Sequence, residues 1–513
     1  MYKVRKMITT CLALVLVFAV AITFTGCGKS AQPEGTTTPN STAASTTEQA
    51  LPPVELEWYI GGDENDVADL PAVLEVVNKT LKEKINATLK LNLIDFGTLE
   101  QKMDVKIGAN EVFDMCFTSS WANVYSKKVS KGAYVELDEL LKKYGQNILS
   151  TIPEKYWDAA RVDGKLYGIL NYQMYANVYG ITGNKALMDK YGVKKEDIKK
   201  LEDLEPFMAK VKEGETGVYP LRVSPMAYTD PDTGALYWGA VPGSGMFVVN
   251  ENDPELKVVN LYETKAYRQR ADLVRKYYLN GFIRKDGFIA DKMFNEDVKA
   301  GKYALWGGGN IMPGNEESSK AQTGLDVYGI PLMPPMVETS GIMGTMTGVS
   351  KTSKNPERAV MFYDLLFSDK ELYNTLVYGI ENKHYKKISE NTVELIPDSG
   401  YNNTNAAWEM GNSFSAYLLN GTDPDVFKQR LEINDNAQAS PLLGFNYNTE
   451  PMKTELAALN AVYTEAAPQL LYGIEDPEKF LPGLIEKGKK AGFDKVRDDV
   501  QAKIDEWRKA NGK

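Results

Sequence analysis

The chain has 513 residues, with 69 acidic and 59 basic side chains and a formal net charge of −10. A chain this acidic is a poor partner for nucleic acid or for anionic lipid. Its length exceeds what one hydrophobic core usually serves, so we expect at least two lobes.

The N-terminus has the pattern of a secretion signal. Lys3, Arg5 and Lys6 precede an uncharged apolar run over residues 7–25, and small residues lead into Cys27. This pattern predicts a lipoprotein signal peptide over residues 1–26, with Cys27 lipidated at the start of the mature chain. An uncleaved membrane anchor is the alternative, because the run is about long enough to span a bilayer. Both place the rest of the chain outside the cytoplasm, and the lipoprotein signal predicts a lipid anchor at the extracellular face of the cell membrane.

The stretch that follows the signal has almost no large apolar residue. Residues 28–53 are rich in Ser, Thr, Pro and Gly, so they cannot bury enough surface to offset their ordering entropy. We therefore predict that residues 27–53 form a lipidated flexible tether. The signal carries three basic residues and no acid, so its removal leaves 56 basic and 69 acidic side chains and a net charge of −13.

Cysteine and histidine are too scarce for most site chemistry. Outside the signal and Cys27 the chain has one thiol, Cys116, which lies in an apolar stretch where a small buried side chain is expected. The single histidine, His384, has no nucleophile motif beside it, so we expect a structural or exposed role. We expect no metal site, no cofactor and no catalytic residue.

The first part of the chain shows strand, helix and strand patterns in turn. Residues 54–60 alternate with a period of two, residues 70–85 have apolar side chains at helical spacing, and residues 87–93 alternate again. This order favours a mostly parallel sheet, in which ligands bind beyond the carboxyl ends of the strands. A further strand over residues 112–117 leads into the loop at residues 118–123, which we expect at that edge.

Two short sequence patterns further along the chain predict a hairpin and the start of a helix. The pair Asp163 and Gly164 lies between short apolar runs and predicts a tight hairpin. The run Asn355, Pro356 and Glu357 predicts a helix start, with an N-cap, a proline in the first turn and an acid at the positive end.

Together these segments resemble the extracellular solute-binding proteins of family 1, as in the maltodextrin-binding type. The likeness is carried by the lipobox and tether, by residues 163–169, by residues 294–306 and by residues 348–359. Residues 378–385 and 443–447 look like the large lipoprotein subgroup typical of Firmicutes, which has a C-terminal extension.

The resemblance implies an α/β, two-lobed periplasmic-binding-protein-like fold of type II. The lobes would be discontinuous in sequence and joined by a hinge, with a mainly helical C-terminal extension. It places residues 54–173 plus 343–410 in lobe 1 and residues 174–342 plus 411–513 in lobe 2, with crossings near 173, 342 and 410.

The resemblance also implies a carbohydrate site between the lobes. Sugars need aromatic plates together with carboxylates and amides, and the chain has 29 Tyr and 7 Trp. Matching the cleft loops of the family segment by segment gives eight ligand-binding residues: Asp63, Trp121, Asn123, Tyr172, Tyr175, Trp306, Asn310 and Trp408.

The function implied is a monomeric extracellular solute-binding lipoprotein that captures an oligosaccharide and delivers it to the permease subunits of an ABC importer. A surface glycosidase or lyase acting on polysaccharide is the alternative, because 69 acids always leave room for a catalytic carboxylate pair. A wall adhesin is a third class, and it would have no deep cleft. On the residues alone, carbohydrate and peptide ligands are not distinguished.

Overall fold

The computed structural model describes residues 51–223, 227–287, 294–308 and 311–512. The predicted signal peptide, Cys27, the tether up to residue 50 and Asn310 lie outside the described residues. The fold is built on separate sheets, each with its own apolar core.

The first lobe contains a five-stranded sheet. The predicted strand, helix and strand are confirmed, because Val54–Gly61 pairs in parallel with Ala87–Ile94 over the helix Leu70–Ile85. The sheet is mixed rather than all parallel, since Met346–Val349 runs antiparallel to both of its neighbours. In spatial order its strands are Ala87–Ile94, Val54–Gly61, Met115–Thr118, Met346–Val349 and Gly168–Leu170.

Helices cover the faces of this sheet because their apolar stripes meet its buried side chains. On Leu70–Ile85 that stripe is Val73, Val77, Leu81 and Ile85, at the spacing of one helix face. The helices packed around this sheet are Leu70–Ile85, Phe96–Gly108, Tyr125–Ser130, Asp138–Tyr144, Gln146–Thr151, Pro356–Ser368 and Lys370–Tyr378.

Both short signals appear in this lobe. Arg161–Val162 pairs with Lys165–Leu166 across Asp163 and Gly164, whose φ angles of 51° and 79° are those a tight turn requires. The helix Pro356–Ser368 begins where predicted. Asn355 is the N-cap residue, as predicted, although its side chain makes no capping hydrogen bond.

The second lobe contains a four-stranded sheet. Its strand Tyr303–Gly308 lies antiparallel to Gly180–Asn184 and parallel to Tyr219–Arg222, and Val327–Pro331 forms the edge. The helices around it are Lys185–Lys190, Glu205–Gly214, Lys265–Leu279, Phe294–Lys299 and Asn315–Thr323.

A third sheet packs against the C-terminal helices. Phe247 stacks on Phe493 with their ring centroids 4.6 Å apart, which joins the sheet to the end of the chain. The predicted helical extension is confirmed by Lys453–Leu471, Pro477–Lys490 and Phe493–Ala510. The strands of the third sheet are Tyr228–Thr229, Leu236–Val241, Ser244–Asn250 and Val259–Asn260.

Short elements fill the remaining connections. Among the described residues, the α-helices not yet given are Thr339–Ile342 and Val426–Asn436. The short strands are Met336–Val337 with Gln438–Ala439, and Tyr385–Lys387 with Thr392–Leu395 and Leu418–Leu419. Across the described ranges, no helix combines the length and the apolar content needed to cross a bilayer.

The chain passes from the first sheet to the second between Leu170 and Gly180 and returns between Pro331 and Met346. The two crossing segments pair with each other, because Asn177 forms an antiparallel bridge to Met336. The predicted lobe limits at 173, 342 and 410 stay predictions.

Candidate functional site

A cavity of about 1260 Å³ lies between the two lobes. The first lobe contributes Trp121 and Trp408 to its lining, and the second contributes Trp306. Gln173 and Thr345 of the crossing segments also line it, and their side chains are joined by a hydrogen bond of 2.8 Å.

The first-lobe wall is a cluster of aromatic rings. Trp408 stacks on Phe96 with the centroids 5.7 Å apart and the planes 18° apart, and Trp121 lies 6.2 Å from Trp408. Phe117 closes the cluster edge-on, 5.9 Å from Trp408. Such contacts hold large apolar faces in fixed orientations, so the wall is preformed before any solute arrives.

Trp121 is the most exposed part of this wall. It follows the strand Met115–Thr118, at the carboxyl edge where the sequence predicted it, and it is 54% exposed. Its indole N–H donates to the carbonyl oxygen of Gly344 at 2.9 Å, which fixes the ring plane. A half-open face held in one orientation is suited to stacking against the C–H face of a pyranose.

Trp408 is positioned by the residue that follows it. A carboxylate oxygen of Glu409 accepts the backbone N–H of Gly61, at the end of the first strand, at 2.8 Å. Glu409 is 2% exposed, and burial raises the pKa of its carboxyl well above the usual value while the Gly61 N–H opposes that rise. This contact ties the short helix Thr404–Glu409 to the edge of the first sheet.

Trp306 forms the opposite wall and is largely buried. It lies on the strand Tyr303–Gly308 and is 8% exposed, packed with Val298, Tyr303 and Val327. This side chain therefore belongs to a small core as well as to the cavity lining.

The structure does not bring Asn123 into the cavity. Its side chain is fully buried, and the amide N–H donates to the carbonyl oxygen of Phe117 at 2.6 Å. The residue has a φ of 45°, a left-handed conformation that Asn tolerates better than most residues. The prediction of a ligand contact is corrected to a structural role in the loop that carries Trp121.

Asp63 also serves its own loop. Its carboxylate accepts the backbone N–H of Asn65 at 2.9 Å and caps the short helix Glu64–Val67. Asp63 is exposed and is absent from the described lining of the cavity, whereas Asp66 of the same loop lines it. The structure therefore places the carboxylate of Asp66, three positions further along the chain, in the cavity lining in place of that of Asp63.

The two hinge tyrosines differ. Tyr175 lines the cavity but is only 1% exposed, and its hydroxyl donates to the carbonyl oxygen of Asn171 at 2.8 Å. Tyr172 is absent from the described lining and instead packs edge-on against Phe414 at 5.1 Å. Both residues lie at the first crossing, as predicted, and both are engaged in holding that segment.

Cys116 and His384 have the structural roles expected of them. Cys116 is fully buried, and burial raises the pKa of its thiol to about 11. His384 is 1% exposed, with Nδ1 accepting the Ile380 N–H at 2.9 Å and Nε2 lying 3.1 Å from Asp69.

Sequence reasoning missed the polar residues of the cavity. Arg430, on the helix Val426–Asn436, lines it and donates from Nε to the carbonyl oxygen of Pro313 at 2.9 Å, and burial lowers the pKa of its guanidinium. Lys299 brings a second cation. Within the described lining the carboxylate is that of Asp66 alone. The other lining residues with hydroxyl or amide side chains include Ser120, Asn177, Asn315, Ser318, Ser319, Thr323, Ser340, Asn402, Thr404, Ser413 and Thr422.

Comparison with known proteins supplies two family matches. The family described as bacterial extracellular solute-binding protein matches residues 65–372. A domain of unknown function (DUF3502) matches residues 441–509, the region of the C-terminal helices.

Relatives and solved structures match over almost the whole length. A carbohydrate ABC transporter substrate-binding protein of Streptococcus pneumoniae serotype 4 (strain ATCC BAA-334 / TIGR4) is 29% identical over 461 residues, 88% of this chain and 91% of the relative. The crystal structure of the N-glycan transport solute binding protein (NgtS) from Streptococcus pneumoniae is similar with a TM-score of 0.80 and 27% identity, covering 89% of this chain and 99% of that one. The same protein in complex with Man5GlcNAc gives a TM-score of 0.70 and 26% identity, covering 90% and 99%. By its family match and its two-lobed fold, the chain belongs to the bacterial extracellular solute-binding protein family.

Proposed function

We propose that the protein is the solute-binding lipoprotein of an ABC importer and that it captures an oligosaccharide in the cavity between its lobes. Mannose- and N-acetylglucosamine-containing glycans are the first ligands to test, because NgtS is described in complex with Man5GlcNAc. The protein would act as a monomer, without catalysis, and hand the sugar to permease subunits.

The observation that carries this proposal is the composition of the cavity walls. The stacked rings of Trp121 and Trp408 face Trp306 across a cavity whose lining also contains many hydroxyl and amide side chains. Sugars present complementary surfaces, apolar C–H faces bounded by hydroxyl rims. The cavity exceeds the range of about 300–1,000 Å³ common for small-ligand sites, which suits several linked rings.

The charges of the cavity favour binding over hydrolysis. Glycosidases use two carboxyl groups that flank the scissile bond. In the described lining Asp66 is the one carboxylate, and its charge is accompanied by Lys299 and Arg430. This distribution supports a binding protein over the glycosidase alternative.

Delivery to a membrane transporter needs the protein to stay near the cell surface. Acylation of Cys27 would supply the anchor, and residues 28–53 would let the lobes reach the permease. The lobe limits at 173, 342 and 410 complete the proposal, because a solute between lobes that close around those crossings would create the surface that the permease recognises.

A thermal-shift and calorimetry screen tests the function. We expect Man1GlcNAc or Man5GlcNAc to raise the melting temperature and to be recovered unchanged after hours of incubation. Matched concentrations of kestose, an alginate oligosaccharide and a short peptide serve as controls. Shortened glycan products would support the enzyme, and no shift with any sugar would contradict the proposal.

A further inference from the structure

A second cavity of about 420 Å³ lies away from the tryptophan walls, between the third sheet and the helices Lys265–Leu279 and Lys453–Leu471. We call it the tyrosine pocket, and it is defined by Tyr179, Tyr228, Tyr262, Tyr267, Arg270 and Glu338. Its volume falls in the range of about 300–1,000 Å³ common for sites that hold small organic molecules.

The walls of the tyrosine pocket are rings that hold one another in place. Tyr262 packs against Tyr267 at 4.5 Å and stacks on Tyr463 at 4.7 Å, while Tyr228 lies 5.6 Å from Tyr267. Within the described parts of the chain, the hydroxyls of Tyr179, Tyr228, Tyr262 and Tyr267 have no hydrogen-bond partner. The pocket therefore offers apolar faces together with hydroxyl groups that can still donate.

Arg270 is the unusual member of the set. Its neighbours along the helix are paired: Arg268 binds Asp272 and Glu478, and Arg275 donates to the carbonyl oxygens of Gly473 and Ile474. Arg270 is partly buried, and in the described residues no acceptor lies within hydrogen-bond distance of its guanidinium. Burial lowers the pKa of this group, and the nearby Tyr228, Tyr277 and Glu202, none of them hydrogen-bonded to it, only partly oppose that effect. A charge left in this state favours any anion that fits beside it.

Glu338 does not fill that role. It lines the same pocket from the second crossing segment, yet it forms no ion pair with Arg270. Burial raises the pKa of the Glu338 carboxyl, with a hydrogen bond from Ser340 acting in the opposite direction. The Glu338 carboxyl can hydrogen-bond to hydroxyl groups of a ligand, and it makes no ion pair with the arginine.

We propose that the tyrosine pocket is a second ligand site, which binds a six-membered sugar ring carrying one carboxylate, such as a hexuronic acid. The carboxylate would pair with the guanidinium of Arg270 in the two-pronged geometry that arginine provides. The ring would lie against Tyr262 and Tyr267, and its hydroxyls would meet the tyrosine hydroxyls and Glu338. A single unpaired cation matches one negative charge, so a doubly charged phosphate ester is the poorer fit.

The tyrosine pocket and the interlobe cavity are separate in their lining apart from Asn177, which borders both. This separation makes the two sites distinguishable by mutation. Binding in the tyrosine pocket does not require the proposed oligosaccharide function, since none of the three cavity tryptophans lines it.

Calorimetry with glucuronate and with methyl glucoside tests the proposal on the intact mature protein. We expect glucuronate to bind at least about tenfold more tightly than the neutral glycoside, because only the acid can pair with Arg270. Arg270→Gln should weaken glucuronate by at least about tenfold. Arg268→Gln, on the same helix but outside the pocket, is the matched control and should leave the affinity unchanged.

A second measurement does not depend on whether Arg270→Gln folds. Glucuronate added to the wild-type protein should perturb the tyrosine band of the near-ultraviolet difference spectrum and leave the tryptophan band unchanged, because the pocket is lined by tyrosines. Binding lost in Trp408→Ala and kept in Arg270→Gln would place the acid in the interlobe cavity and overturn the proposal. Equal affinity for the acid and the neutral glycoside, or no tyrosine perturbation at saturation, would also overturn it.

Discussion

The side-chain oxygen of Asn434 accepts the backbone N–H groups of both Tyr175 and Ala176, at 2.8 and 3.0 Å. Its amide N–H donates in turn to the carbonyl oxygen of Gln173 at 3.0 Å. The helix Val426–Asn436 therefore clamps the first crossing segment through one side chain that is 4% exposed. Any motion of the lobes about this crossing must either carry the clamp along or break it.

Asn434→Ala should lower the free energy of unfolding, because it leaves two buried backbone donors without an acceptor. Each unsatisfied group costs about 1–3 kcal/mol, and urea unfolding would measure the sum. Asn436→Ala is the matched control, since that exposed residue of the same helix bonds only to the Glu432 carbonyl oxygen. Equal stability of the two variants would show that the clamp carries no net energy.

The tryptophans of the two walls should respond differently to removal. Trp306→Ala should cost about 3–5 kcal/mol of unfolding free energy, as for a buried aromatic, because its ring is 8% exposed. Trp121→Ala should cost about 1 kcal/mol, since its ring is 54% exposed, yet it should weaken glycan binding by at least about tenfold.

Melting of the unliganded variants and calorimetry with Man5GlcNAc separate these effects. A large fall in unliganded stability for Trp121→Ala with intact affinity would assign that ring to the core instead of the site.

The strand and helix order of the first lobe was predictable because side-chain periodicity is a local property. The same holds for the turn at Asp163 and Gly164, whose residue types require positive φ. The direction of Met346–Val349 was not predictable, because pairing across more than two hundred residues leaves no local pattern.

Trp121 was predicted at the cavity edge because it follows a strand, and the structure places it in the cavity lining. The side chain of Asn123, two residues further along, instead hydrogen-bonds within the loop. Which side chain of a loop faces the cavity depends on the backbone conformation of the loop, and residue type alone does not determine that conformation. Arg430 and Asn434 escaped prediction because their roles depend on a helix that docks from far along the chain.

Cys27→Ala should release the protein from the membrane or leave it unprocessed, because the thioether to lipid is the anchor proposed. Fractionation of cells that express the variant, with Cys116→Ala as the matched control, measures this. Cys116 is buried inside the first lobe and its loss should not alter membrane association. Mutant protein that stays membrane-bound at its mature size would contradict the lipid anchor.

Glu409→Gln should become more stable than the wild type as pH rises. Burial raises the pKa of the Glu409 carboxyl in the folded protein above its value in the unfolded chain, which is about 4.3. Below the unfolded pKa both states are protonated and the two proteins should be similarly stable. As pH rises through the folded pKa, the folded wild type must give up a proton that it holds more tightly than the unfolded chain does, so it loses stability.

The glutamine variant keeps an oxygen for the Gly61 N–H and has no such loss. Urea unfolding of both proteins across the acid to neutral range isolates the effect, because all other titrating groups are shared. A stability difference that does not change with pH would mean that the carboxyl of Glu409 has the same pKa in the folded and the unfolded protein.

Ligand should bring the lobes together, because contacts from Trp121 on one wall and Trp306 on the other can be made at once only when the lobes close. A ligand that binds the closed form about ten-thousand-fold more tightly would move the population from almost wholly open to almost wholly closed. Small-angle scattering should then record a smaller radius of gyration with saturating Man5GlcNAc, and Trp121→Ala should reduce that change. The control variant Arg268→Gln, which lies outside the interlobe cavity, should close like the wild type. A solute that contacts both walls must draw the lobes together. A radius of gyration that stays constant at saturation, with binding verified by calorimetry, would therefore contradict closure and point to a rigid cleft.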